Sequence, residues 1–298
     1  MPFFITAFTF SSTIQMHMRH YLQFGRFDFQ LQAQEQGRQA LVMGILNITP
    51  DSFSDAGQFQ HLEFALSRAE QRILDGADII DIGGESSRPG APPLPLRDEL
   101  QRVMPVLYAL RDCGKPLSVD TYKPEVMREA ILAGADMIND INGFRAAGAI
   151  EAVQDSDCAL CIMHMQSVPQ TMQDQPQYED VVREVIDFLL ERVDTMTAAG
   201  IARERLCIDP GFGFGKRVEQ NYALLRATRQ LRSELGLPVL AGLSRKSMLG
   251  AVTGRPVEQR LAGSIAGALA AVAQGAEIVR VHDVAETVDA LKVWRQAH

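Results

Sequence analysis

The sequence predicts a (β/α)8, or TIM, barrel, and three observations carry that expectation. A phrase recurs in which a helix-like stretch closes on Gly-Ala-acid and passes at once into a short β-branched run: Gly76-Ala77-Asp78 before Ile79, Gly134-Ala135-Asp136 before Met137 and Gly275-Ala276-Glu277 before Ile278. Glycine suits the left-handed residue that ends a helix, and the apolar runs that follow are too short to be anything but buried strands. Eight such strand candidates alternate with amphipathic stretches of helical length, over the roughly 250 residues such a barrel occupies. The first of them opens onto Asn47-Ile48-Thr49-Pro50 rather than a G-x-G-x-x-G turn, which disfavours a doubly wound open sheet.

In chain order, residues 1–39 read as an N-terminal extension ahead of a barrel domain of residues 40–298. Positions 26–31 of the extension alternate (Phe27, Phe29, Leu31) like one arm of a hairpin plugging the barrel bottom. Residues 1–17 are expected to be disordered, or to lie ahead of a start at Met18. Strands are expected at 40–47, 79–83, 117–120, 137–140, 159–163, 206–209, 239–242 and 278–281, each a short apolar run and six of them ending on a polar group or a glycine. Helical periodicity fills 64–75, 96–110, 124–133, 180–198, 221–235 and 260–274, with a last helix from about 284 to 296.

Composition bounds the function. The chain has 298 residues, 46% apolar and 22% charged, as in an ordinary globular protein. Against 29 basic residues stand 37 acidic ones, a net −8 that repels nucleic acid and anionic membranes, so an anionic ligand requires a local basic site. The longest near-apolar run, 261–273, falls short of the roughly 18 residues of a membrane span. Its Ala and Gly content predicts close helix packing, against the barrel or at a dimer interface. No Lys or Arg precedes Arg19, so a basic secretory leader is not expected and the chain reads as cytoplasmic. Cys158 and Cys161 form a C-x-x-C with His164 three residues on, but the strand between them would splay the thiols, so they read as small buried hydrophobes rather than a zinc or redox site.

Barrels of this kind build their sites at the C-terminal strand ends. Those positions carry Asn47, then Asp81, Glu85 and Arg88, then Asp120, Asn139 and Asp140, Met163 and His164, Asp209, Ser244 to Lys246, and Arg280 and His282. Singly, each has an ordinary use as a cap or turn residue; nearly every strand ending this way points to a ligand. Asp120, Asn139 and Asp209 suit a heterocycle with an amidine-like N–H edge. Arg88, Lys246, Arg280 and His282 suit a phosphate or pyrophosphate, and Asn47 offers an oxygen to a magnesium ion.

Seven phrases together resemble the bacterial dihydropteroate synthase family, in order from about Val42 to the C-terminus. They are Asn47 to Asp55 (NITPDSFSD), Gly83 to Gly90, Ser118-Val119-Asp120-Thr121, Ile138-Asn139-Asp140, Asp209 to Lys216, Ser244-Arg245-Lys246 and Arg280-Val281-His282-Asp283. The resemblance implies a barrel, usually a homodimer, that joins p-aminobenzoate to 6-hydroxymethyl-7,8-dihydropterin pyrophosphate with Mg2+. By position, it implies that Asp120, Asn139, Asp209 and Lys246 line the pterin pocket with Met163 beneath the ring. It places the pyrophosphate with Asn47 and Mg2+, Arg88, Arg280 and His282, and p-aminobenzoate with Phe53, Ser87, Pro89, Phe214 and Ser247. Asp120, Lys246, Arg280 and His282 are the catalytic candidates. Where the family usually has Thr, this chain has Ser87, so activity is expected to persist with altered affinity for p-aminobenzoate or sulfonamides.

Two other readings are weaker. A pterin-binding methyltransferase that serves a corrinoid protein would need neither the Ser244 to Lys246 and Arg280 to His282 groups nor the Asn47 to Asp55 loop. A non-catalytic paralogue would be expected to have lost one of Asn47, Arg88, Asp120, Lys246 or His282, and all are present.

Overall fold

A computed structural model describes residues 20–31, 40–48, 58–86, 88, 90–166, 172 and 176–297. The expectations for residues 1–17 fall outside them, as do Phe53, Ser87 and Pro89.

The described chain begins with a hairpin, β1 (His20–Phe24) and β2 (Phe27–Leu31), paired antiparallel from Phe24 and Phe27 at the turn. There follow β3 (Leu41–Asn47), α1 (Gln58–Leu74), β4 (Ile79–Gly83), α2 (Leu96–Leu110), β5 (Leu117–Asp120), α3 (Pro124–Leu132) and β6 (Met137–Asp140). Next come α4 (Ala149–Val153), β7 (Ala159–Met163), α5 (Val181–Ala198), β8 (Leu206–Asp209), α6 (Val218–Arg226) and α7 (Thr228–Leu235). The chain closes with β9 (Leu240–Ala241), α8 (Ser247–Thr253), α9 (Leu261–Ala273), β10 (Ile278–Val281) and α10 (Val284–Ala297). The eight strands β3 to β10 form one parallel sheet in the order β8-β7-β6-β5-β4-β3-β10-β9, and a parallel bridge between Ile208 and Val239 brings its ends together. The chain is the (β/α)8 barrel that the repeat predicts.

Each strand is buried on both faces, which is why each reads as a continuous apolar run. Outward side chains such as Val42, Ile80, Val119, Ile138, Ile162 and Ile208 pack with the helices in the main core. Inward ones, among them Met43, Ile79, Met137, Cys161, Cys207 and Ile278, fill the lower barrel together with Leu22 and Phe24 of the hairpin. Burying Leu22 and Phe24 completely contributes about 1.5–3 kcal/mol each. Arg26 at the hairpin turn fastens the plug: Nε and Nη2 donate to the two carboxylate oxygens of Asp136 at 2.9 and 3.0 Å, and Nη1 donates to the Arg111 carbonyl at 2.8 Å.

The Gly-Ala-acid phrase has one structural meaning in all three places. Gly76, Gly134 and Gly275 have φ of 97°, 99° and 97°, the left-handed turn that ends a helix. The acid then receives an N–H at the start of the neighbouring strand: Asp78 from Val42 at 2.9 Å, Asp136 from Leu117 at 3.0 Å, Glu277 from Val239 at 3.0 Å. A buried carboxylate thus closes the strand ladder at the barrel bottom, where a backbone donor would otherwise be left unpaired.

Three local expectations need correction. The helix expected over 221–235 is two, α6 and α7, which break at Ala227, where the Thr228 hydroxyl donates to the Leu225 carbonyl at 3.0 Å. No Gly or Pro marks that break, so periodicity runs through it. The short helices α4 and α8 were not expected, being too short for a periodic signal. The seventh barrel strand spans only Leu240–Ala241, inside the expected 239–242.

Candidate active site

Strand alternation decides which rim residues face the interior. Asp120, Asn139, Met163, Asp209 and Arg280 stand on the inward register of β5, β6, β7, β8 and β10, above the inward apolar layer. Asp81 and Ser118 lie one step below Gly83 and Asp120 on the same faces.

Arg280 crosses the barrel. Its Nε donates to Asp81 Oδ2 at 2.6 Å and its Nη2 to Asp120 Oδ2 at 2.8 Å, while the Ser118 hydroxyl donates to Asp81 Oδ1 at 2.6 Å. Asp81 is completely buried, so its charge is tolerated only because those donors satisfy it. Burial works against the charge on Arg280, but Asp81 and Asp120 outweigh it and hold the guanidinium above the usual arginine range. Burial also pushes the Asp120 carboxyl up to about 7, with Arg280 opposing and Asp81, Glu99 and Asp140 reinforcing the rise.

Asp209 and Lys246 interact through charge in the same region. Asp209 Oδ1 receives the Gly211 N–H at 2.7 Å, so it serves as turn residue and as pocket carboxylate at once. Its burial raises its pKa, opposed first by Lys246. Burial pushes the Lys246 ammonium down to about 8 against the pull of Asp209. The ammonium donates to the Phe212 carbonyl and lies 4.7 Å from the centre of the Phe214 ring. Gly242 keeps this corner open: a Cβ there would sit 3.8 Å from Lys246 Nζ and 3.9 Å from Asp209 Oδ2.

His282 packs its Nδ1 3.0 Å from the Ser244 hydroxyl, which also accepts the His282 backbone N–H at 3.2 Å. Burial, then Arg280 and Arg245, push the imidazole down to about 3, so it is neutral at pH 7. Met163 is buried in a sulfur-rich apolar cluster with Ile141, Met165 and Met172, against which Phe214 packs. Asn47 ends β3 next to Gly83, where a Cβ would lie 3.5 Å from Asn47 Oδ1 and 3.7 Å from Asp120 Cβ; the missing side chain leaves that space to a ligand.

Among the rim residues, Asp140, Glu85, Arg245 and His164 are engaged by other parts of the chain. Asp140 is fully buried and accepts the Asn142 and Phe144 N–H groups, each at 2.7 Å, so it shapes the β6–α4 turn. Glu85 is taken by the Tyr122 hydroxyl at 2.8 Å and by Lys123, which also pairs with Glu99. Arg245, with a left-handed φ of 60°, pairs with Asp283, and His164 faces Lys216. Arg88 is exposed and, among the described residues, takes no part in the bonds around Arg280; Ser247 is exposed at the start of α8. Asp81 and Lys216, which the sequence places at the rim and at the end of the Gly211 to Gly215 loop without a role, are both buried in the structure, Asp81 under Arg280 and Lys216 against His164.

The pterin binding enzyme family matches residues 43–282, a span that contains all of these strand ends. The dihydropteroate synthase of Haemophilus influenzae is 53% identical over 257 residues, covering 85% of this chain and 92% of that protein. This chain belongs to the dihydropteroate synthase family of pterin binding enzymes. Among solved members, the dihydropteroate synthase of Burkholderia cenocepacia complexed with 7,8-dihydropteroate is 54% identical, with a TM-score of 0.83 over 93% of this chain and 96% of that one. The Xanthomonas albilineans dihydropteroate synthase with 4-aminobenzoic acid is 49% identical, with a TM-score of 0.86 over 94% of this chain and 98% of that one. Within a dihydropteroate synthase frame, the carboxylate and amide set lies on β5, β6 and β8, and the cationic set on the loop after β4 (Arg88), the turn after β9 (Lys246) and the end of β10 with the residue after it (Arg280, His282). No helix among the described residues is long and apolar enough to cross a membrane.

Proposed function

We infer that the barrel mouth joins p-aminobenzoate to 6-hydroxymethyl-7,8-dihydropterin pyrophosphate, releasing pyrophosphate and forming 7,8-dihydropteroate. The observation that carries this reading is the bridge from Arg280 to Asp120, which sets a cation for the leaving group directly beside a carboxylate for the pterin. Asp120, Asn139 and Asp209 take the hydrogen-bonding edge of the pterin, with Met163 as the floor and Lys246 at the side. Arg280, His282 and Arg88 take the pyrophosphate. A neutral His282 whose Nδ1 is engaged by Ser244 is left to donate from Nε2.

As the C–O bond to the pyrophosphate breaks, positive charge grows on the pterin methylene and spreads into the electron-rich ring. The ionised Asp120 is placed to stabilise it, in a buried site where such charges count for more than in water. The neutral aromatic amine then attacks that carbon and loses a proton. No side chain needs to form a covalent bond. Phe53, Ser87, Pro89, Phe214 and Ser247 are assigned to p-aminobenzoate, with Phe214 fixed over Lys246 by the geometry above.

The donor set suits Mg2+. Among the described residues no three His, Cys, Asp or Glu side chains form a metal cluster. Asn47 offers one hard oxygen beside the open space at Gly83, and Mg2+ prefers such a partial protein shell completed by water and substrate phosphates. When bound, the ion neutralises phosphate charge and assists departure of the leaving group. A homodimer is supported by Val252, Val257 and Leu261, exposed apolar side chains on and around α8 and the start of α9.

The test is pyrophosphate release by the folded protein with both substrates and Mg2+. Release that depends on p-aminobenzoate is the expected result, and none under those conditions refutes the reading.

A further inference from the structure

The loop of residues 210–217 is folded around a buried lysine that the proposed reaction does not use. Lys216 is 3% exposed, and its ammonium donates to the carbonyls of Gly211 and Phe214, each at 3.0 Å. The third position is 2.9 Å from Nδ1 of His164, a buried imidazole on the loop after β7. Burial first, then Lys216, hold that imidazole far below its usual range, so Nδ1 accepts from the lysine, whose own pKa burial lowers to about 7, and the ring proton is on Nε2. The lysine therefore meets only lone pairs, from two segments of the chain.

The same loop supports the reactive corner from its other side. The Phe212 carbonyl accepts from Lys246 and the Phe214 ring lies over the same ammonium. The Gly211 N–H is bound by Asp209. There is no room for an alternative course: at Gly211, where φ is 70°, a Cβ would lie 1.9 Å from the His164 carbonyl oxygen. The Gly213 N–H, meanwhile, donates to Asn221 Oδ1 at 2.6 Å. Phe212 and Phe214 thus sit between two lysines, one fixing the loop and one fixed by it.

We infer that Lys216, held by His164, is a positioning residue for the reaction, setting where Phe212 and Phe214 present Lys246 and the p-aminobenzoate site. This rests on the proposed assignment of Lys246 and Phe214, so the wild-type assay is the first arm of the test. If wild-type protein releases no pyrophosphate, that assignment fails; if it does, the variants decide the inference.

Lys216→Met removes the ammonium at similar length, and His164→Leu removes its acceptor. His164→Asn keeps a polar atom near the Nδ1 position. Steady-state kinetics in both substrates, with circular dichroism and thermal melting as a fold check, are expected to show kcat at least tenfold lower and KM for p-aminobenzoate at least fivefold higher in Lys216→Met. His164→Leu should follow it, and His164→Asn should stay within threefold of wild type. Folded Lys216→Met and His164→Leu proteins with both constants within twofold of wild type would overturn the inference. So would His164→Asn as impaired as His164→Leu, or loss of the fold in both Lys216→Met and His164→Leu, which would make the pair a structural brace alone.

Discussion

Arg280 and Asp81 are joined through both Nε and Nη2 of the guanidinium, at 2.6 Å, so the buried aspartate fixes the plane in which Arg280 meets Asp120. An amide at Asp81 would keep the shape and lose the charge. Asp81→Asn is expected to lower kcat roughly 10- to 100-fold, the equivalent of about 1.5–3 kcal/mol for a charged hydrogen bond. The pyrophosphate-release assay reads this directly. An unchanged kcat in folded Asp81→Asn would mean that Arg280 needs no support to do its work.

The pH profile follows from the same network. Asp120 is pushed up to about 7 by burial, so kcat/KM for the pterin substrate should fall as pH drops through that value and the carboxylate is neutralised. In Asp81→Asn the neighbouring negative charge is gone and Arg280 leans on Asp120 alone, both of which favour ionisation, so the acid limb should move to lower pH. Stability has the opposite sign. A folded pKa above the unfolded value of about 3.9 means that the charge of Asp120 weakens the fold above about 7, and protonation relieves this as pH falls toward 4. An acid limb unmoved by the substitution would detach Asp120 from the profile.

How far the chain was legible depended on the range of the forces. Six of the eight barrel strands have the ends that the sequence predicts; Gly-Ala-acid junctions mark three of their starts, and an aspartate or a glycine marks four of their ends. The break at Ala227 and the helix Ala149–Val153 carry no such mark. At the mouth, Asp120, Asn139, Met163, Asp209 and Arg280 were legible because a period of two and the strand ends place them together. Asp140 ends its strand as expected, but adjacent strand residues face opposite ways, and its carboxylate closes a turn. Lys216 could not be read as buried, since lysine is normally a surface residue and only the folded loop supplies its carbonyls.

Metal removal separates Asn47 from the cationic side chains. If Arg280 and His282 hold the leaving group as proposed, chelation with EDTA should lower pyrophosphate release without unfolding the protein, and added Mg2+ should restore it. Asn47→Ala should raise the Mg2+ concentration needed for half-maximal rate about tenfold, the effect of losing roughly one hydrogen-bond-scale contact of 1.4 kcal/mol. A Mg2+ response identical in Asn47→Ala and wild type would place the ion elsewhere.

Arg26 tests the plug. Its guanidinium is 46% exposed, so its ion pair with Asp136 counts for little as a charge interaction. Its hydrogen bonds nonetheless tie the hairpin turn to Asp136 and to the Arg111 carbonyl. Arg26→Ala is expected to cost about 1 kcal/mol, and Phe24→Ala about 3–5 kcal/mol because it opens a cavity under the barrel. Urea unfolding measures both, and kcat should be unaffected in Arg26→Ala, which lies at the opposite end of the barrel from the mouth.

The cysteines settle the C-x-x-C question by their faces. Cys158 precedes β7 and donates to the Ala135 carbonyl at 2.8 Å, whereas Cys161 points into the lower barrel in register with Cys207 on β8. Burial pushes the Cys158 thiol up to about 11, and the Cys207 neighbour together with burial raises Cys161 well above the ordinary thiol range. A thiol that is both protonated and inaccessible does not react. Cys113 is the exception, half-buried after α2. Titration of the native protein with a thiol-reactive chromogenic disulfide is therefore expected to consume one equivalent, which Cys113→Ser abolishes, and three more only on adding denaturant. Rapid native reaction of Cys158 or Cys161, or zinc retained by the pair through dialysis, would restore the redox or metal reading that the strand geometry opposes.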